Sequence, residues 1–245
     1  MGLGKAVTDK GAIGPMRIEF IFDTVCPWCF VGLRRLERAL ARRPAVAAEI
    51  VWRPFLLNPD MPEDGIPRAT YLERKFGGPA RVARMLAGLV EAGRGEGIAF
   101  DFDAITRTPN SLHSHRLVRH AGRHGLAVQA VEAILRAYFE QGRDIGDRAV
   151  LGDIAIGIGL PREATAAFLA GTEGRSDVFM ENAHTHRLSI NGVPCFVFET
   201  SYGIAGAQDP DILVRMIDLV TEGRLEAPLS RAAMPALAGP GKEGC

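Results

Sequence analysis

Cys26-Pro27-Trp28-Cys29 is the part of this chain whose residue types and spacing most directly imply chemistry. A C-x-x-C at the start of a helix sets both sulfurs on one side of the first turn, close enough to bond after small rotamer changes. Cys26, near the N-cap, faces backbone N–H groups that have no helical partner and the positive end of the helix dipole. Both stabilise a thiolate. Cys26 is therefore expected to be the exposed sulfur that attacks, or leaves, a substrate disulfide. Cys29, one turn inward, is expected to resolve the mixed disulfide. Pro27 is tolerated because the first helical N–H has no partner to lose. Trp28 is expected to cover the site with apolar surface on which a substrate chain lies. The same spacing occurs in half of a zinc site, but the other two cysteines, Cys195 and Cys245, are far apart and Cys245 is the last residue. Redox chemistry is the favoured reading, with no metal.

The elements around the motif must hold it at a strand-to-helix junction, and the sequence supplies them. In Arg17–Asp23, Ile18, Phe20 and Phe22 share one face while Ile21 lies on the other, the pattern of a strand buried on both sides. Cys29, Leu33, Leu36 and Leu40 then form one helical stripe, with Arg42 and Arg43 at its negative end and Pro44 to close it. Glu49–Arg53 reads as a second strand. From about Pro67 to Leu188 the pattern is helical, with stripes at Leu86/Leu89/Val90, Val128/Val131/Leu135/Tyr138 and Val150/Leu151/Ile154/Ile158, and a helix started by Pro161. Cys195–Glu199 and Tyr202–Ala205 read as a hairpin, followed by a helix capped by Asp209 with Pro210 behind it.

The order β-α-β, helices, β-β-α predicts an α/β class protein: a thioredoxin-like fold with an inserted all-helical subdomain. The expected divisions are a disordered N-terminus (1–15), a discontinuous thioredoxin-like domain (16–66 and 189–224), a helical insertion (67–188) and a flexible tail (225–245).

Three segments together carry a family resemblance: Phe22-Asp-Thr-Val-Cys-Pro-Trp-Cys-Phe-Val-Gly32, Asn191-Gly-Val-Pro-Cys-Phe-Val-Phe198 and Tyr202-Gly-Ile-Ala-Gly-Ala-Gln208. The chain resembles the DsbA-like thioredoxin family, and within it the FrnE-type dithiol–disulfide isomerases, from Arg17 to about Gly223. The resemblance implies that Pro194 is a cis-proline beside the redox pair and that the Val193 backbone pairs with an extended substrate. It also implies that the helix opened by Asn110-Ser-Leu-His-Ser-His-Arg-Leu117 packs near the site. Asn110 and Ser111 are then either substrate-binding residues or only helix caps. His115 is a weaker candidate modulator. Asp23, three residues before Cys26, either relays a proton as Cys29 titrates or is a strand-end turn residue. Cys195 stands where relatives commonly carry a non-thiol residue; it is either a third redox sulfur or a small core residue.

Lys plus Arg and Asp plus Glu both total 29. No net charge steers the chain towards nucleic acid or an anionic membrane, and no apolar run is long enough to span a bilayer. His120 with His124, and His184 with His186, read as solvated basic positions rather than metal ligands. Residues 1–15 lack a secretory apolar core, so a cytoplasmic setting is expected unless a leader precedes this numbering. No tightly bound cofactor is expected, although glutathione is a candidate co-substrate. The expected partner is a disulfide- or thiol-bearing protein or small molecule, and a homodimer stays open. Two other functions compete. One is a glutathione-dependent isomerase or transferase of the kappa-like or 2-hydroxychromene-2-carboxylate type, whose members typically carry Ser at the position of Cys26. The other is a non-catalytic peptide-binding protein.

Overall fold

The apolar residues that alternate along Met16–Phe22 form the first strand, β1, in the computed structural model, which describes residues 14–223. The expected tail with Cys245, and all but two residues of the expected disordered N-terminus, lie outside the described residues. Helix α1 (Pro27–Ala41) connects β1 to β2 (Ala48–Pro54), which runs parallel to it. The chain then forms β3 (Ile66–Pro67), α2 (Arg68–Phe76), α3 (Pro79–Gly95) and β4 (Arg107–Thr108). Helices α4 (Leu112–Gly122), α5 (Ala127–Phe139), α6 (Arg148–Gly157), α7 (Arg162–Ala170) and α8 (Arg175–Arg187) follow. The hairpin β5 (Cys195–Phe198) and β6 (Tyr202–Ala205) and the helix α9 (Pro210–Thr221) complete the described fold.

The main sheet has the order β2-β1-β5-β6, with β1 antiparallel to β5 and β5 antiparallel to β6. Its register sets Phe20 opposite both Trp52 and Phe196. The Phe20 and Phe196 rings stack at 4.8 Å, and Trp52 closes on Phe20 and Phe22 at 5.5 and 5.4 Å. Phe20, Phe22 and Phe196 are fully buried, so truncating any one to Ala would cost about 3–5 kcal/mol.

Helix α1 is buried along Cys29, Phe30, Leu33, Leu36 and Ala39, and its arginines point outward. Arg34 pairs with Glu132 of α5, and Arg35 and Arg38 both hold Glu96 beyond α3. Phe30 meets Phe100 and Phe139 of the helical segment. The sheet and the inserted helices therefore share one continuous apolar core. Helix α1 stops at Ala41, three residues before Pro44. Arg42 and Arg43 do more than face its carbonyl end: they pair with Asp211 and Asp218 of α9. The short β3–β4 ladder pairs Ile66 with Thr108 and ties the start of α2 to the approach to α4. Sequence periodicity missed it, because two-residue strands show no alternation.

Candidate active site

The last residue of β1, Phe22, is followed by a tight turn whose backbone closes from Cys26 N–H to the Asp23 carbonyl at 3.1 Å. Cys26 is the N-cap of α1 in extended backbone conformation (φ −97°, ψ 112°), and Pro27 is the first helical residue. No side chain caps this helix and its first turn contains no acid, so neither of these offsets the positive end that Cys26 occupies. Cys29 N–H donates to the Cys26 carbonyl at 3.0 Å, closing the first turn, and the two cysteines lie close together.

One expectation needs correction. Cys26 is not an exposed sulfur: it is fully buried, and its Sγ–H donates to the Val193 carbonyl at 3.8 Å. The helix-start argument considers only the local turn, whereas this cover comes from a loop 167 residues further on. The Val193–Pro194 bond is cis. Gly32, on the next turn of α1, allows that loop to approach. A Cβ there would stand 3.0 Å from Pro194 Cγ and 3.3 Å from the Phe196 ring. Cys195, paired with Ile21 and Ala205 in the sheet, is 1% exposed. Burial pushes its thiol up to about 12, so it keeps its proton at neutral pH and makes a poor nucleophile.

The structure brings together two candidates that the sequence treated separately. Asp23 and His115 are both buried, and His115 Nε2–H donates to Asp23 Oδ1 at 3.2 Å. The other Asp23 oxygen accepts the Leu57 N–H at 2.8 Å, and His115 packs edge-on against Phe22 at 5.1 Å. Beside this pair, the Thr24 and Ser114 hydroxyls meet at 2.7 Å and Ser114 also donates to the Ser111 carbonyl. Thr24 and Ser114 were not among the sequence candidates, since no motif links residues 90 positions apart. Asn110 is occupied at both ends of its amide: its oxygen accepts the Leu112 N–H as α4 begins, and its nitrogen donates to the Met61 carbonyl at 2.6 Å. Ser111 is the N-cap residue but caps through no side-chain bond. Pro27 and Trp28 line one side of a pocket whose other side is built by α2 and α3.

On the opposite side of α4, His113 Nδ1 accepts from Arg116 Nη1 at 2.8 Å, since a guanidinium only donates. Its Nε2 lies 3.4 Å from Glu63 Oε1 and 3.3 Å from Arg148 Nη2. Burial, with Arg148 and Arg116 acting the same way, holds the His113 pKa below its ordinary value despite Glu63. Arg116 itself is buried and donates to the carbonyls of Phe168, Gly171 and Glu173. A second correction concerns His120. It is not on a solvated face but stacks on Phe168 at 4.2 Å, and burial lowers its pKa; His124 beside it is exposed. His184 and His186 are exposed. Among the described residues, no group of three or more His, Cys, Asp or Glu is arranged to hold a metal, and no helix is long and apolar enough to cross a membrane.

Comparison with known proteins agrees with this arrangement. Residues 17–218 match the DSBA-like thioredoxin domain. A probable DsbA oxidoreductase from Streptomyces coelicolor is 31% identical, with 88% of this chain and 93% of that one covered at a TM-score of 0.76. Two more distant structures share the fold. The cytosolic disulfide reductase DsbM from Pseudomonas aeruginosa, solved with GSH, is 20% identical, with 85% of this chain and 100% of that one covered at a TM-score of 0.61. A 2-hydroxychromene-2-carboxylate isomerase is 15% identical, with 86% and 100% covered at a TM-score of 0.64. With a strand-to-helix dithiol, a neighbouring proline loop and a match across most of its length, this chain belongs to the DSBA-like thioredoxin domain family.

Proposed function

We propose that the protein is a thiol–disulfide oxidoreductase or isomerase that uses the Cys26–Cys29 dithiol on protein or low-molecular-weight disulfides. The observation that carries this reading is Cys26 at the uncapped N-terminus of α1, with Cys29 one turn inward. In the reducing direction, Cys26 loses its proton and its thiolate attacks a substrate sulfur. The Cys26–substrate bond forms, the substrate S–S bond breaks and one substrate thiol leaves. Cys29 then gives up its proton and attacks the Cys26 sulfur, releasing the second thiol and leaving Cys26–Cys29 oxidised. Asp23, held by Leu57 N–H and His115, serves as the buried acceptor in that second proton transfer. Val193 and Pro194 offer backbone to an extended substrate, which takes over the carbonyl that Cys26 Sγ now occupies. Pro27, Trp28, Asn110 and Ser111 border the same site, while Cys195 stays a core thiol.

The reading places the protein in a reducing, cytosolic setting, as DsbM is described, with glutathione as co-substrate and no tightly bound cofactor. Cys29→Ser tests it. This variant should stall after the first step and accumulate a mixed disulfide that mass spectrometry locates at Cys26. Failure to trap any adduct, or an adduct at Cys195 instead, would refute the mechanism. Activity that survives loss of both cysteines would point to the peptide-binding alternative.

A further inference from the structure

A small pocket, partly open to solvent, lies beside the dithiol. Pro27 and Trp28 of the redox motif form one wall; Leu72, Leu86 and Leu89 of α2 and α3 form much of the other. Among the described residues that line it, Arg68 alone carries a charge.

Arg68 is unlike most arginines of this chain. Arg34, Arg35, Arg38, Arg43 and Arg53 each reach a carboxylate within 3 Å, whereas Arg68 has no ion pair among the described residues. Its Nη1 makes one long bond, 3.4 Å, to the Tyr138 hydroxyl, and its guanidinium lies 5.5 Å over the Phe102 ring. Its Nε is buried with no acceptor. A buried donor left without a partner is costly, and a guanidinium fork matches the bidentate geometry of a carboxylate. The pocket therefore combines apolar walls, one under-satisfied cation and direct adjacency to the motif that exchanges disulfides.

We infer that this pocket is a specificity site for disulfides and thiols whose sulfur is attached to an apolar, preferably aromatic, group bearing a carboxylate. The apolar group packs against Trp28, Leu72 and Leu86, and the carboxylate gives Arg68 the acceptor it lacks. Substrate sulfur is thereby held at Cys26. The inference rests on the proposed exchange for turnover, and on the pocket alone for binding. In a single turnover the reduced protein supplies both electrons: Cys26 and Cys29 become a disulfide, and the aryl disulfide becomes two aryl thiols.

Two chromogenic probes separate the carboxylate from the ring: dithiobis(nitrobenzoate), which carries it, and dithiodipyridine, which does not. Rates are compared as variant over wild type for each probe, which cancels their intrinsic reactivities. Arg68→Met should lower kcat/KM for the carboxylated probe about tenfold more than for the neutral one, chiefly through KM, with Arg68→Lys intermediate because it keeps charge but loses the fork. An equal loss on both probes, or none on either, would overturn the specificity site while leaving the dithiol reading intact.

Binding without chemistry is measured by calorimetry with 4-(methylthio)benzoate, a carboxylated aryl thioether that no thiol can reduce. Binding to wild type that weakens in Arg68→Met supports the pocket even if neither disulfide is reduced, a result that would count only against the exchange. Absence of binding to wild type overturns the pocket.

Discussion

The two walls of the site are built in different ways. The wall formed by β1, α1 and the Val193–Pro194 loop is dry and closely packed: Cys26, Cys29, Phe196 and Asp23 have no measurable exposure. The wall formed by α2 and α3 is looser. Tyr71, Leu72, Phe76, Met85 and Leu86 are only half-buried, and α2 buries none of its residues fully. The first wall holds reacting atoms in place, since misplacing a nucleophile by an ångström costs rate. The second offers a surface on which substrates can differ, as binding residues on the rim of a rigid scaffold commonly do.

This contrast predicts graded effects. The largest falls on the sulfur itself: Cys26→Ser should reduce disulfide exchange to the uncatalysed background in a turnover assay, with the far-ultraviolet spectrum unchanged. Next comes the buried acceptor. Asp23→Asn keeps the Leu57 contact but loses the carboxylate, so resolution of the mixed disulfide should slow about a hundredfold, the usual contribution of a placed base. Rapid-quench trapping of the intermediate measures it; an unchanged resolution rate would make Asp23 a turn residue only.

Packing gives the third effect. Gly32→Val forces a side chain into the contact with Pro194 and Phe196, costing about 2 kcal/mol and lowering Tm by about 5 °C. The same change on the looser wall, Gly88→Val on α3, where a Cβ meets nothing within 4 Å, should be neutral or slightly stabilising, since Val is the better helix former. Comparable losses at both positions would erase the distinction between the walls.

The smallest effect is a pH dependence at His113. Burial holds its pKa below the ordinary 6.5, so the folded state favours the neutral ring. That contribution is complete above the unfolded pKa and is lost as pH falls through it towards the folded value. Urea unfolding at about pH 7.5 and about pH 5 should therefore show a smaller acid loss in His113→Gln than in wild type.

How much of this was legible in the sequence follows from the same contrast. Strand β1, helix α1 and the β5–β6 hairpin depend on strong local periods, and Asp209 and Pro210 mark the start of α9 as expected. The dithiol's place at the strand-to-helix junction is likewise a local fact. The insertion was harder to read. In α8 the apolar residues Val178, Phe179 and Met180 are consecutive and form no face, so that helix had no stripe to announce it. The burial of Cys26 under Val193, the Asp23–His115 pair and the Thr24–Ser114 contact all join residues far apart in sequence. Arg68 could not be distinguished from the other arginines, because the absence of an acceptor is a property of packing alone. His120 was misread for a related reason: Phe168, which covers its ring, lies on another helix.

The central claim is that Cys26 and Cys29 form a reversible redox pair while Cys195 stands apart from it. The direct test equilibrates the protein in graded glutathione buffers, quenches with acid, unfolds it, alkylates every free thiol and locates each label by mass spectrometry. One two-electron transition confined to Cys26 and Cys29 is expected, with Cys195 alkylated at every potential. A Cys26–Cys195 linkage, or no transition at any potential, would contradict it.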